Sequence, residues 1–240
     1  MRYPEIAGKK VLVTGGTRGI GYKIAEGFCA NGTEVHVTGS KQHGECPSGA
    51  IYHGCNFTEQ GELDSFCASL GELGIQILVN NAGVNSPAPF ADITSAEFLR
   101  IQQVNLHAPF RICQAVLSGM QSAGWGRIVN ISSIWGIVSK EQRAPYSASK
   151  FGLDGMTVAL AAEVAQQDIL VNCVSPGFID TELTREVLGE AGINEMIQKV
   201  PMMRLGDCQE VARLVLWLCS EENTYVTAQN IAIDGGFSRV

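Results

Sequence analysis

Tyr146 and Lys150 stand four residues apart in a helical pattern over 146–166, so both side chains project from one face of that helix. A free tyrosine titrates near about 10, too high for efficient acid–base work at neutral pH. An ammonium one turn away favours the phenolate, so the pair reads as a general acid/base whose pKa Lys150 lowers. Pro145 suits the first turn of a helix and places the phenol near the positive end of the dipole. Ser133 follows the apolar run 127–131, where its hydroxyl can hydrogen-bond the same oxygen that exchanges a proton with Tyr146. Pro109 lies four residues after Asn105 in a second helical pattern. It has no N–H for the Asn105 carbonyl and its ring pushes that carbonyl away, which predicts a kinked helix with the carbonyl free.

Such residues need a frame. Short β-rich runs recur at 10–14, 34–38, 50–55, 76–80, 127–131, 169–174 and 231–233, separated by helical patterns at 19–31, 59–72, 95–123, 146–166 and 207–220. Residues 41–49 read as a loop. Strands this apolar and short are buried on both faces, as in a parallel sheet covered by helices on each side. No linker, repeat or charge block divides the 240 residues, so the expectation is α/β: one domain, 1–240, with a doubly wound parallel sheet of about seven strands. A composition of 45% hydrophobic and 17% charged residues supplies a sizeable core. The net charge of −7, with no Lys/Arg run, argues against nucleic acid or an anionic membrane as partner. No apolar run approaches the roughly 18 residues of a membrane span, and the start Met1-Arg2-Tyr3-Pro4-Glu5 lacks a signal peptide's apolar stretch. Eight cysteines without a Cys-x-x-Cys pair read as reduced, mostly buried thiols in a cytoplasmic protein.

Between the first strand and the first helix lies Thr14-Gly15-Gly16-Thr17-Arg18-Gly19-Ile20-Gly21. Glycines at 15, 19 and 21 allow a tight turn, close approach to a pyrophosphate, and packing of helix on strand, while the helix N-terminus offers N–H groups to the anion. With this G-x-x-x-G-x-G spacing the sequence resembles the short-chain dehydrogenase/reductase family. The resemblance recurs in Asn80-Asn81-Ala82-Gly83, in Asn105, Ser133, Tyr146 and Lys150, and in Pro176-Gly177, and it covers residues 8–238. It implies a Rossmann-type fold and an enzyme that interconverts a carbonyl and a secondary alcohol. It further implies Asn105, Ser133, Tyr146 and Lys150 as the catalytic tetrad, Asn105 holding a water linked to the lysine and Lys150 binding the nicotinamide ribose. The cofactor contacts it implies are Gly15, Thr17, Arg18, Gly19, Ile20, Gly21, Ser40, Lys41, Asn56, Phe57, Asn81, Ala82, Gly83, Pro176, Gly177, Ile179 and Thr181, with Tyr146 and Lys150. Segment 178–203, with Leu183, Val187, Leu188, Ile193 and Met196, resembles the family's substrate lid.

Dinucleotide folds choose their cofactor at the end of the second strand, where an acid bonds the ribose of NAD and basic groups take the 2′-phosphate of NADP. Here Gly39 stands in the acid's place, with Arg18, Ser40 and Lys41 close by in sequence, so NADP(H) is expected over NAD(H). The tail Val200–Gly206 and Asp234-Gly235-Gly236-Phe237 resemble 3-oxoacyl-acyl-carrier-protein reductases, which implies a 3-oxoacyl thioester as substrate. The stretch Val84–Phe90 is more similar to sugar or small-alcohol dehydrogenases, the alternative substrates; a non-catalytic dinucleotide sensor is a further one. Trp135 and Arg143 are the expected substrate contacts, Arg143 toward an anionic group. His43, Cys46, His53 and Cys55 have types but not spacing suited to zinc, so no metal is expected. Family members are commonly homotetramers through the 95–123 and 146–166 helices and the last strand, and this chain resembles them there.

Overall fold

The strands carry apolar residues at successive positions, so each must be covered on both sides, and that requirement sets the layers. A computed structural model describes residues 3–240, apart from the side chains of Leu183, Val187 and Leu188, so those three lid residues lie outside the described set. The strands are β1 (Lys10–Val13), β2 (Glu34–Gly39), β3 (Ala50–Gly54), β4 (Ile77–Asn80), β5 (Gly126–Ile131), β6 (Ile169–Pro176), β7 (Ile179–Asp180), β8 (Gly206–Asp207) and β9 (Asn230–Ile233). The helices are α1 (Gly19–Cys29), α2 (Gln60–Leu73), α3 (Ser95–Gln102), α4 (Ala108–Ala123), α5 (Ala144–Val164), α6 (Glu182–Ile197) and α7 (Cys208–Leu218). Seven strands form one parallel sheet in the order β3-β2-β1-β4-β5-β6-β9.

One face of this sheet, with Val11 and Val13 of β1 and Ile77 and Val79 of β4, packs on Ile24 and Phe28 of α1 and Val211 and Val215 of α7. The other face, with Leu12 and Leu78, packs on Leu63 of α2, Ile112 and Val116 of α4 and Ala161 of α5. Alternate residues of one strand therefore enter two different cores, as expected for a sheet buried on both sides. The expected Rossmann-type, doubly wound α/β class is the observed one. Strand order reverses between β1 and β4, and the crevice beyond their carboxyl ends is where ligands bind in such sheets.

Three local features differ from the sequence expectation. The single kinked helix over 95–123 is two α-helices joined by a π-helical turn, Gln103–His107, in which Ala108 N–H donates to Gln103 O. The missing N–H of Pro109 is absorbed by widening the turn, the usual origin of such bulges. The two-residue strands β7 and β8 pair in parallel, Ile179 with Gly206 and Asp180 with Asp207, and are too short to leave a periodic pattern. Helix α6 is interrupted at Gly189, whose φ of 60° and ψ of 178° are not helical. All eight cysteines are free thiols, six of them buried. Cys46 packs against the first core and Cys55 within the second, and His53 Nε2 lies 2.8 Å from His36 Nδ1. Among the described residues no three potential metal ligands come together.

Candidate active site

The glycine turn is fixed from behind by the loop that follows β4. The Thr14 hydroxyl accepts hydrogen bonds from Asn81 N (2.9 Å) and Ala82 N (3.0 Å), and Asn81 Nδ2 donates to Thr14 O (2.9 Å) and Gly15 O (3.0 Å). Gly15 N donates to Thr38 Oγ1 at 3.1 Å, which adds the end of β2. A Cβ on Gly21 would lie 2.3 Å from both Asn81 Nδ2 and Gly15 O, and Gly15 and Gly19 have positive φ of 65° and 55°. The chain thus keeps backbone bare around the first turn of α1, the cradle a pyrophosphate requires. Thr181, which caps α6 by accepting from Thr184 N at 3.1 Å, lies beside this turn: its Cγ2 is 3.6 Å from where a Gly19 Cβ would be. Arg18, Ser40 and Lys41 are exposed. These residues fit a dinucleotide at the β1 end of the crevice.

Asn105, Ser133, Tyr146 and Lys150 gather beside it. The Ser133 hydroxyl is close enough to Tyr146 to act on its ionisation, and Lys150 Nζ lies 5.6 Å from the Tyr146 ring centre. Lys150 is buried and donates to Ile131 O at 2.8 Å. Asn105 is fully buried and holds the loop after β4 by both backbone groups of one residue, accepting from Val84 N (2.8 Å) and donating to Val84 O (2.9 Å). Its Nδ2 also reaches Ser149 Oγ at 3.1 Å, and Ser149 Oγ donates to Tyr146 O at 2.7 Å. A Cβ on Gly83 would stand 3.4 Å from Asn105 Oδ1 and 3.7 Å from Lys150 Nζ, so Gly83 belongs to the same cluster.

Electrostatics correct one expectation. Burial pushes Tyr146 above its ordinary value; the Ser133 hydrogen bond and the Arg143 charge pull the other way without overcoming it. Burial also pulls Lys150 down from 10.5 to about 8. The lysine is aimed at a carbonyl and is itself short of solvation, so desolvation, not a neighbouring ammonium, governs the phenol in the cofactor-free chain.

The other expected contacts divide. Pro176 and Gly177 close β6 against the last turn, with a Gly177 Cβ position 2.7 Å from Asp234 Cα. Ile20 and Ala82 are half-buried against the two cores. Three side chains are committed elsewhere. Asn56 Oδ1 accepts from Thr58 N and Thr58 Oγ1; the Phe57 ring is buried against Phe66; and the Ile179 side chain is buried in the first core. Phe57 and Ile179 obey burial, so neither offers a side-chain face to a cofactor.

Trp135 N donates to Ser133 Oγ at 3.2 Å, and its ring meets Phe178 and Phe237 edge-on at 6.3 and 6.0 Å, those two lying 5.1 Å apart. This aromatic wall joins residues 135, 178 and 237, which no sequence spacing connects. Arg143 precedes α5 as its N-cap. Its Nε is buried without a hydrogen-bond partner, and burial lowers its pKa against the charges of Tyr146 and Glu141. Thr14, Thr38 and Ser149 were not singled out from the sequence; only Thr14, adjacent to the glycine turn, carried a signal that could have found it.

Residues 15–238 match the family model described as enoyl-(acyl carrier protein) reductase. The chain is 38% identical over 244 residues to 3-oxoacyl-acyl-carrier-protein reductase FabG of Aquifex aeolicus, covering 97% of this chain and 98% of that protein. Among solved structures it is similar to one described as an NAD(P)-dependent gluconate 5-dehydrogenase from Beutenbergia cavernae with bound NADP, at TM-score 0.90, 28% identity and 98% of both chains. A second, described as a 2-deoxy-D-gluconate 3-dehydrogenase from Agrobacterium tumefaciens with bound NADP, superposes at TM-score 0.89 with 29% identity over 98% of both chains.

The buried ammonium gives a pH-dependent stability. Lys150 binds its proton less tightly folded (about 8) than unfolded (10.5), so it opposes folding fully below pH 8 and ceases to do so as pH rises toward 10.5. Lys150→Met is expected to raise the urea unfolding free energy at pH 7 by up to about 3 kcal/mol, less the lost bond to Ile131 O. The gain should shrink between pH 8 and 10. A difference that stays constant over that range contradicts the buried-charge account.

Proposed function

The chain belongs to the short-chain dehydrogenase/reductase family, and we propose that it is an NADP(H)-dependent reductase of 3-oxoacyl thioesters. The observation that carries the chemistry is the grouping of Tyr146 with Ser133 and Lys150, whose Nζ lies 5.6 Å from the Tyr146 ring centre, at the carboxyl edge of the sheet and next to the glycine turn. Bound NADPH supplies a hydride to the carbonyl carbon. Tyr146 then gives its proton to the carbonyl oxygen, completing the alcohol, while Ser133 holds that oxygen in place. A phenol raised by burial keeps its proton through the neutral range, which suits reduction. In this reading Lys150 and the loop Asn81–Gly83 would hold the nicotinamide end, the glycine turn the pyrophosphate, and Arg18, Ser40 and Lys41 the 2′-phosphate. Asn105 holds this loop through Val84, and its carbonyl faces a proline four residues on, so a water relay to Lys150 can start there. Helix α6, broken at Gly189, is the lid over the substrate.

The thioester is supported by the FabG relative and by the aromatic wall of Trp135, Phe178 and Phe237, which suits an acyl chain. A second reading, oxidation or reduction of a sugar acid, is favoured by Arg143, whose buried Nε has no partner among the described residues, and by the gluconate-type neighbours. Phe110 of α4 and Phe151 and Val158 of α5 are large apolar side chains left exposed, which supports assembly through these helices into a homotetramer. No helix of the described residues is long and apolar enough to cross a membrane; the free thiols agree with a reducing, cytoplasmic setting.

Tyr146→Phe should lower kcat for NADPH-dependent ketone reduction by at least about 100-fold while NADPH still binds, as followed by its fluorescence; activity near wild type refutes the assignment. Arg143→Ala separates the two substrate readings. It should raise KM for carboxylate-bearing keto-sugars by about tenfold or more and leave short 3-oxoacyl thioesters unchanged. An unchanged KM for every active substrate removes Arg143 from the site. Light scattering of the purified chain is expected to give four times the 25.7 kDa protomer mass, and a monomer excludes the tetramer.

A further inference from the structure

Gly39 ends β2 and pairs with Gly54 of β3, two residues beyond the Val37–Tyr52 pair. A Cβ on Gly39 would lie 2.6 Å from Tyr52 Oη, 2.9 Å from Tyr52 Cε2 and 3.0 Å from Thr17 Cγ2. No side chain of any kind fits there unless the tyrosine ring moves. The ring is tethered to the loop: its Oη donates to Lys41 O at 2.5 Å, and it lies against Gly44, where a Cβ would meet it at 2.9 Å. The loop also closes on β3, since a Cβ on Gly54 would meet Lys41 O at 2.7 Å and Gln42 Cα at 2.8 Å. One aromatic ring is therefore wedged between two glycines, tied to the loop backbone at the residue that follows Ser40.

We propose that Tyr52 is a specificity-determining positioning residue for the cofactor's 2′-phosphate. It closes the space a carboxylate at position 39 would occupy, and its bond to Lys41 O holds the Ser40–Lys41 backbone at the end of β2. A carboxylate there would repel a 2′-phosphate, so its exclusion is half of the selection. The hydroxyl of Ser40 and the ammonium of Lys41 supply the attractive half. The inference rests on the NADP(H) reading above and adds the residue that enforces it. Tyr52 itself lies on the strand beside the one where cofactor choice is normally read.

The test compares adenosine 2′,5′-bisphosphate with 5′-AMP, which differ only by the 2′-phosphate, by titration calorimetry on the intact protein. Wild type should prefer the bisphosphate at least tenfold. Tyr52→Phe keeps the wedge but loses the bond to Lys41 and should lower the preference several-fold; Tyr52→Ala should lower it tenfold or more. Gly39→Asp alone should lower the thermal midpoint and weaken both ligands, because the ring occupies the acid's place. Gly39→Asp with Tyr52→Ala should recover the midpoint and favour 5′-AMP. A preference that survives Tyr52→Ala overturns the proposal, as does a Gly39→Asp single variant that switches to 5′-AMP at an unchanged midpoint. A wild-type ratio near one overturns the NADP(H) reading and this proposal with it, an outcome distinct from a wild-type preference that ignores Tyr52.

Discussion

The site depends on the stitch between the two strand ends at the centre of the sheet. The Asn81 amide spans the Thr14 and Gly15 carbonyls while the Thr14 hydroxyl takes the N–H groups of Asn81 and Ala82. Four hydrogen bonds in a half-buried position hold the glycine turn at one distance from the loop after β4 and leave no room for a Cβ at Gly21. From that stitch a line of bonds continues through Val84 to Asn105, through Asn105 to Ser149, and through Ser149 to the Tyr146 carbonyl. Phosphate turn and phenol are thus set in register by a line of side-chain hydrogen bonds that runs through the loop after β4. Preorganisation of this kind spares the reaction the cost of ordering its own catalytic groups.

That rigid frame encloses groups that prefer water. Lys150 is a buried ammonium that donates to the Ile131 carbonyl, and Tyr146 is a half-buried phenol. Both shifts favour the neutral species, which is the signature of desolvation and not of an ion pair. Stability is given up at the positions where the chemistry is placed, a common bargain at active sites. Farther along α5, Asn80 Nδ2 donates to Asn130 Oδ1 and Asn130 Nδ2 to Thr157 Oγ1, both at 2.8 Å, so these buried amides are tied to neutral partners, although Asn80 Oδ1 has none among the described residues.

How much of this is legible in the sequence follows from the range of each interaction. The apolar runs locate all seven strands of the sheet because double burial is a local demand on composition. Tyr146 and Lys150 share a helix face because helical spacing is local too. The direction of the Tyr146 shift is not local: it depends on how deeply α5 is covered, and spacing alone gives the opposite sign. Pro109 announces a break near Asn105, but whether the helix kinks or widens to a π turn is settled by the packing of α3 and α4. Phe57 follows a family pattern yet is taken by the second core, since a phenyl ring beside Phe66 gains more from burial than from exposure at the crevice. Trp135, Phe178 and Phe237, like Tyr52 against Gly39, meet only through the fold.

The long-range features weigh on the substrate in opposite directions, and their geometry ranks them. The aromatic wall starts two residues after Ser133, whose hydroxyl accepts from the Trp135 backbone N–H. Three edge-on aromatic rings present carbon and hydrogen surface and little hydrogen-bonding capacity. A polyhydroxy acid would leave hydroxyl groups facing that wall unpaired, at a cost of about 1–3 kcal/mol for each one buried. An acyl chain gains by the same contact. The Arg143 charge is felt by Tyr146, and its buried Nε, which has no partner among the described residues, could serve an anionic group of a substrate. It is the apolar surface of the aromatic wall that favours the thioester reading over the sugar-acid one.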